Sequence, residues 1–201
     1  SADLQMLREK FFIRLLHNLY DSAEQFTLLM QDLDIPFSYA AYQCCYFEMR
    51  NPSVDAMDIQ RQIVLYTNSY QLLQKLAEKY LAEQQMSAYF VTLDRKHGSI
   101  ILLYDTAPND GNDARIASYL QQICTSLVSY YQTSMKIGIG TVVNEPLSIS
   151  DSYQNARAAF ASITTLAGIA CSCDIAPDSS MIFNLSVIKD DLSRAFSEYD
   201  L

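Results

Sequence analysis

The chain has few charged residues, few glycines and prolines, and no long uninterrupted hydrophobic run. Charged residues make up 18% of the 201 positions, and there are five glycines and five prolines. Because 50% of the residues are hydrophobic, this composition argues against a disordered chain and against a repeat array. A chain of this size can bury about 70% of its unfolded surface, which is enough for one well-formed core.

Membrane-spanning and secretory segments are also absent from the sequence pattern. The two longest uncharged stretches, residues 116–135 and 158–173, are interrupted by polar residues. Neither supplies the run of about 20 apolar residues that spans a bilayer, and no basic segment followed by a hydrophobic run begins the chain. We therefore expect a cytoplasmic protein without membrane contact. The opening Ser1-Ala2, without a methionine, suggests either a cloning scar or a segment cut from a longer protein.

Basic residues are too few and too scattered for a nucleic-acid surface. The chain has 14 Lys and Arg against 23 Asp and Glu, a formal net charge of −9. Affinity for nucleic acids comes largely from clustered basic side chains. We therefore expect that this segment makes no direct nucleic-acid contact.

Cysteine and histidine do not form a recognisable metal motif. The five cysteines are Cys44, Cys45, Cys124, Cys171 and Cys173. Their spacings lack the paired C-x-x-C knuckles of zinc sites, and the two histidines, His17 and His97, do not complete one. We expect reduced thiols that pack as small hydrophobic groups, with no metal site and no cofactor.

Hydrophobic periodicity predicts the order helix, helix, β, α, β, β, α, β, α, β, helix. Residues 39–49 are almost continuously apolar, which favours a central strand buried on both faces. A long helix is predicted from Asn51 to Glu83. Strands at 87–93 and 99–104 form a hairpin around residues 94–98.

The C-terminal part of the pattern predicts a strand at 135–143, a helix and a final strand. Ser148 and Asp151 resemble a capping box for a helix that runs to about Thr165, and Gly168 supplies its end. Alternation from Ile169 to Ile175 predicts the last strand. We therefore predict an α+β fold, a mixed and largely antiparallel five-stranded sheet with packed helices, ferredoxin-like or of the nucleotidyl-cyclase type, after an N-terminal helical segment.

The two ends of the chain carry apolar helical stripes that need a neighbouring surface. We predict an N-terminal linker or dimerisation segment at 1–36, the main domain at 37–183 and a C-terminal linker helix at 184–201. The residues predicted to form interfaces or to couple domains are Leu7, Phe11, Leu15, Val187 and Leu192.

A strand with two glycines followed by a capped helix is the most specific motif. Residues 136–141 read Lys-Ile-Gly-Ile-Gly-Thr, and Ser152-Tyr153-x-x-Ala156-x-x-Ala159 follows. With the preceding order of elements, this motif resembles the degenerate GGDEF-like central domain of AraC-family bacterial transcription regulators, including two-component response regulators. The resemblance implies a regulatory, homodimeric domain between a receiver or sensor module and a helix-turn-helix DNA-binding domain.

The resemblance also locates a relic active site. In an active diguanylate cyclase, a Gly-Gly-Asp/Glu-Glu-Phe hairpin and a first-strand Asp position two metal ions and a triphosphate. Here the hairpin reads Asp94-Arg95-Lys96-His97-Gly98, and the first strand offers only Glu48. We therefore expect no enzymatic activity.

Two interpretations of the relic cleft stay open. Glu48, Asp94 and His97 could bind a small molecule or nucleotide, and His97 could titrate near neutral pH. Alternatively, Asp94 is a turn former and His97 a solvated loop residue, which we favour. Gly138 and Gly140 are expected to have a structural role, either to allow close contact between strand and helix or to form a bulge.

Overall fold

The computed structural model describes residues 1–175 and confirms the predicted α+β fold. Its helices and strands are α1 Ala2–Leu16, α2 Ala23–Asp32, β1 Ala41–Arg50, α3 Pro52–Asp55, α4 Ile59–Glu83, β2 Ser87–Thr92, β3 His97–Tyr104, α5 Asn112–Tyr131, β4 Ser134–Val143, α6 Ile149–Ala161 and β5 Gly168–Cys171. The predicted C-terminal helix, with Val187 and Leu192, lies outside the described residues. Among residues 1–175, no helix combines the length and apolarity that crossing a bilayer requires.

The five strands form one mixed sheet with the order β2-β3-β1-β4-β5. Strand β1 is antiparallel to both β3 and β4, β2 is antiparallel to β3, and β4 is parallel to β5. Nine of the ten residues of β1 are buried, which confirms the prediction of a central strand covered on both faces. Cys45, Phe47 and Met49 face the core under α4 and α5. Tyr42, Cys44 and Tyr46 face the opposite core, with residues of α1, α2 and α6.

Helix α6 lies directly against β4 at its two glycines. A Cβ atom on Gly138 would overlap the carbonyl oxygen of Ala156, and one on Gly140 would overlap that of Ser152. The backbone atoms of helix and strand therefore approach with no side chain between them. The structural role expected for Gly138 and Gly140 is confirmed.

The N-terminal helices pack on the sheet of their own chain. Phe11 is 3% exposed and Leu15 fully buried, and the Phe11 ring stacks on Phe26 with centroids 5.5 Å apart. The prediction that Phe11 and Leu15 form an interface was therefore wrong, because their apolar stripe finds its neighbour within the domain. Leu7, 49% exposed, remains on the outer face. The core that contains Phe11 also contains Phe37, so it crosses the predicted boundary after residue 36.

Several predicted element bounds were also wrong, each for a local reason. The helix expected from Asn51 to Glu83 is interrupted, since Asp58 caps a new helix by accepting a hydrogen bond from the backbone N–H of Arg61. Ser148 provides no side-chain cap for α6, which ends at Ala161 rather than Thr165. Gly168 begins β5 with φ 150° and does not end a helix.

Candidate functional site

The structure brings the three predicted relic-cleft residues into one hydrogen-bonded cluster. The imidazole of His97 lies between two carboxylates, with Nδ1 2.8 Å from Asp94 Oδ1 and Nε2 2.8 Å from Glu48 Oε2. Arg50 donates from Nε to the other oxygen of Glu48. Glu48, Arg50, Asp94 and His97 are called the hairpin cluster below. It links the end of β1 to the turn between β2 and β3.

Sheet register and turn chemistry explain this arrangement. Glu48 and His97 are direct partners across the antiparallel pair of β1 and β3, so their side chains leave the same face of the sheet. Asp94 Oδ1 accepts hydrogen bonds from the backbone N–H groups of Lys96 and His97, both at 2.8 Å. Asp94 is therefore a turn former, as the favoured interpretation held, and it is also an ion-pair partner of His97.

A second ion pair adjoins the cluster and was not identified from the sequence. Lys96 Nζ lies 2.7 Å from Asp55 Oδ1, and the hydroxyl of Tyr66 donates to the same oxygen at 2.8 Å. The Tyr66 hydroxyl also accepts from the backbone N–H of Asn51. Asp55 lies on the short helix α3, which the prediction merged into one long helix, so no sequence signal placed it beside the hairpin.

Three of the four side chains of the hairpin cluster are largely closed to solvent, whereas that of Arg50 is exposed. The side chains of Glu48, Asp94 and His97 are 12%, 14% and 15% exposed. His97 also stacks on Tyr46 with ring centroids 6.1 Å apart, and the guanidinium of Arg157 lies 4.8 Å from the centroid of that tyrosine. The expectation of a solvated loop residue at position 97 was wrong, because His97 is the first residue of β3 and pairs across the sheet.

A second polar group, the Gln43 network, lies near the other end of β1. Gln43 is fully buried and its amide nitrogen donates to Asp113 Oδ1 at 2.7 Å and to the Gly140 carbonyl at 2.8 Å. The Tyr104 hydroxyl donates to the Gln43 amide oxygen at 2.6 Å, and Asn112 donates to the Tyr104 oxygen at 2.9 Å. The sequence analysis missed this network, since these residues come from β1, β3, β4 and α5.

Comparison with known proteins agrees with the α+β fold. The sequence model of the GGDEF-like domain family matches residues 21–161, well over half of the chain. The chain belongs to this family. The match starts just before α2 and ends at the last residue of α6. None of the curated proteins and none of the solved structures matches the chain.

Electrostatics show how the hairpin of this GGDEF-like domain is held together. Burial alone disfavours the charged imidazole, but the hydrogen bonds to Asp94 and Glu48 outweigh it and raise the pKa of His97. Burial would likewise raise the pKa of Glu48, but His97 and Arg50 lower it to about 2. The pKa of Asp94 is lowered in the same way, chiefly by His97. These shifts favour a cluster with two carboxylates, an imidazolium and a guanidinium.

The arrangement leaves little capacity for a ligand at the relic cleft. Each of the four carboxylate oxygens of Glu48 and Asp94 accepts at least one hydrogen bond from the chain itself. A nucleotide or metal ion would therefore have to displace internal partners before it could bind these oxygens.

Proposed function

We propose that this GGDEF-like domain is a non-catalytic regulatory domain of an AraC-type bacterial transcription regulator. In this role it relays a state, as a homodimer, between an adjoining receiver or sensor module and a helix-turn-helix DNA-binding domain. The supporting observation is the hairpin cluster, in which His97 and Arg50 already neutralise the carboxylates of Glu48 and Asp94.

The cluster supports this proposal because phosphoryl transfer by a cyclase needs free carboxylate oxygens for metal ions. Here the carboxylates of Glu48 and Asp94 each form a salt bridge with His97. The turn also presents Arg95 and Lys96 where the cyclase motif has acidic and glycine residues. On this proposal the domain has the fold of the family, and the charges at its hairpin stabilise that fold.

Turnover of GTP tests the absence of catalysis. The purified chain is incubated with GTP and Mg²⁺ or Mn²⁺, beside an active diguanylate cyclase as the positive control. We expect no cyclic dinucleotide above background. Product that disappears in the Glu48→Gln variant would contradict the proposal, because it would show that the hairpin carboxylates still support chemistry.

Sedimentation of matched variants tests the predicted dimer. Leu7, on the outer face of α1, is the described residue that still fits the predicted interface. We expect Leu7→Glu to lower the dimer fraction, whereas Leu28→Glu, at a position 61% exposed on α2, leaves it unchanged. A wild-type chain that is monomeric at high concentration would argue against the dimer, as would equal effects of the two variants.

The alternative role, a sensor that binds a small molecule or nucleotide at Glu48, Asp94 and His97, has less support. These side chains are mostly buried and already paired. A thermal-shift screen at millimolar nucleotide distinguishes the two roles, since a ligand that binds the native state must raise its stability. A shift that is lost in His97→Gln would favour the sensor.

A further inference from the structure

Three potential metal ligands meet where β5 ends beside the start of α5. The thiols of Cys171 and Cys173 and the carboxylate of Asp113 lie with their ligand atoms within 4.8 Å of one another. We propose that these three residues bind a thiophilic divalent cation, with Zn²⁺ as the defining example. The proposed site is separate from the hairpin cluster and independent of the proposed regulatory role.

The backbone delivers the two thiols to the same side. Cys171 is the last residue of β5 and pairs with Ile139 of β4. Residues Ser172–Asp174 then form one 3-10 turn, so that Cys173 comes back beside Cys171 rather than continuing along the strand. The turn therefore brings together two thiols whose C-x-C spacing fits no zinc-ribbon motif.

The third ligand is held in place by the interior of the domain. Asp113 lies in the first turn of α5, and one of its carboxylate oxygens accepts the 2.7 Å hydrogen bond from Gln43. Gln43 is itself fixed by the Gly140 carbonyl and by Tyr104. In metal sites, hydrogen bonds from residues that do not themselves coordinate the ion orient the ligands in this way. A carboxylate has further lone pairs, so this bond leaves Asp113 able to coordinate an ion.

The donor set selects the kind of ion. Thiolate sulfur favours zinc and other thiophilic metals, whereas Mg²⁺ and Ca²⁺ require oxygen ligands. Bonds of about 2.0–2.3 Å in a tetrahedral zinc site place neighbouring ligand atoms roughly 3.3–3.8 Å apart. Because the ligand atoms all lie within 4.8 Å of one another, each separation needs to shorten by at most about 1–1.5 Å. Cys173 is exposed, so there is room for its side chain to turn toward the ion.

The surroundings of the thiols are acidic. Burial, together with the charges of Asp113 and Asp174, raises the pKa of Cys171 to about 12 and also raises that of Cys173. The same negative field attracts a cation, which displaces the thiol protons when it binds. Cys173 Sγ lies 3.7 Å from Asp174 Oδ1, so the fourth position of the ion is within reach of Asp174 or of water.

The site is distant from the charges of the hairpin. Gln43 and Glu48 are five residues apart on β1, which corresponds to about 17 Å along a strand. An ion at Asp113, Cys171 and Cys173 would join β5 at the edge of the sheet to α5. Its expected effect is to fix the edge strand, with no effect on the charges around His97.

Cobalt substitution tests the proposal on the whole 201-residue chain under reducing conditions. We expect one equivalent of Co²⁺ to produce visible d–d bands and a near-ultraviolet thiolate band, and Zn²⁺ to abolish both. Cys173→Ala should lower the Zn²⁺ affinity by more than about 100-fold, since even changes of residues that only orient the ligands cost about 10–100-fold. Asp113→Asn keeps an acceptor for Gln43 and should weaken binding while the fold, followed by circular dichroism, is unchanged.

Matched variants separate this site from any other. Cys124→Ala removes a buried thiol elsewhere on α5. Asp110→Asn removes an exposed carboxylate from the loop that precedes α5. Both should bind Zn²⁺ like the wild type, and excess Mg²⁺ should not compete. The proposal is overturned if Co²⁺ gives no thiolate band in the reduced chain. Equal loss of binding in Cys173→Ala and Cys124→Ala would overturn it too, as would loss of binding only on changing His97.

Discussion

The hairpin cluster and the Gln43 network are two polar groups on the same strand that are stabilised in different ways. In the hairpin cluster, Glu48 forms an ion pair with His97, and the side chains of Glu48, His97 and Asp94 are 12–15% exposed. Gln43 takes part in the second through a neutral amide that is fully buried and bonded to three other elements. The contribution of the hairpin cluster to stability therefore depends on protonation, whereas that of the Gln43 network is nearly independent of it.

This difference separates a group of paired charges near the surface from a group of neutral hydrogen bonds in the interior. The charges of the hairpin cluster are paired with one another at the turn between β2 and β3. The Gln43 network lies in the interior, where an unsatisfied polar group is costly whatever the function. Perturbing each group in turn should therefore give effects of different size and different pH dependence.

The largest effect is expected from Gln43→Leu. The substitution leaves the Tyr104 hydroxyl, the Gly140 carbonyl and Asp113 without their buried partner, and each such group costs about 1–3 kcal/mol. We expect a loss of about 3 kcal/mol or more in the free energy of unfolding, measured by urea denaturation. Gln71→Leu, at an exposed position on α4, should stay within about 0.5 kcal/mol of the wild type. Similar losses in both would refute the role of the network.

A smaller loss is expected from His97→Gln. Breaking a fully buried ion pair costs about 3–5 kcal/mol, and the partial exposure of this cluster reduces the expected loss to about 2 kcal/mol. Arg95→Gln, exposed in the same turn, is the matched control and should change stability little. A neutral effect of His97→Gln at pH 6 would show that the cluster contributes nothing to the fold.

The contribution of the hairpin cluster should depend on pH, unlike that of Gln43. Because the pKa of His97 is raised in the folded state, its stabilisation is complete below its ordinary pKa of about 6.5 and is lost as the pH rises through the folded value. Above that pH the neutral ring has one N–H for two carboxylates. The low pKa of Glu48, about 2, keeps the pair intact down to mildly acidic conditions, so the stabilisation is greatest between about pH 4.5 and 6.5.

The titration of His17 changes stability with pH in the opposite direction, and its effect must be distinguished from that of His97. Burial and the charge of Arg157 lower the pKa of His17 to about 4, so His17 costs stability as the pH falls below about 6.5. Urea denaturation of the wild type, His97→Gln and His17→Gln from about pH 5 to 9 resolves both. The difference between wild type and His97→Gln should shrink with rising pH. A difference that grows instead would contradict the assigned direction.

The smallest effect is expected from Tyr104→Phe. This change removes one hydroxyl that donates to Gln43 and accepts from Asn112, a loss of about 1 kcal/mol. The loss should be equal at pH 6 and pH 9, in contrast to that of His97→Gln. Tyr130→Phe, at a position 74% exposed, is the control. A pH-dependent loss at Tyr104 would weaken the distinction between the two groups.

Patterns of hydrophobicity predicted the elements better than their ends. The order of strands and helices and the central position of β1 followed from apolar periodicity, which burial enforces along a whole element. The ends depend on single hydrogen bonds, such as the Asp58 cap, and these were missed. The stripe containing Phe11 and Leu15 was correctly read as needing a neighbour, but periodicity does not tell whether that neighbour belongs to the same chain.

Three of the four residues of the hairpin cluster were named from the sequence, but Arg50 and the pairing of the charges were not. The family resemblance brought Glu48, Asp94 and His97 together because it aligns the end of the first strand with the hairpin. It did not predict the pairing of His97 with both carboxylates, which depends on the register of β1 and β3. Nor did it point to Asp55 or Gln43, whose partners lie on elements distant in sequence.

The backbone contact at Gly138 and Gly140 has a mechanical consequence. A helix that touches a strand through main-chain atoms cannot slide freely along that strand, because the flanking positions on the same face, Lys136 and Val143, carry side chains. Since β4 is in turn hydrogen-bonded along β1, close backbone contacts run without interruption from α6 through β4 to β1. We therefore expect a displacement applied to α6 to shift the centre of the sheet with it.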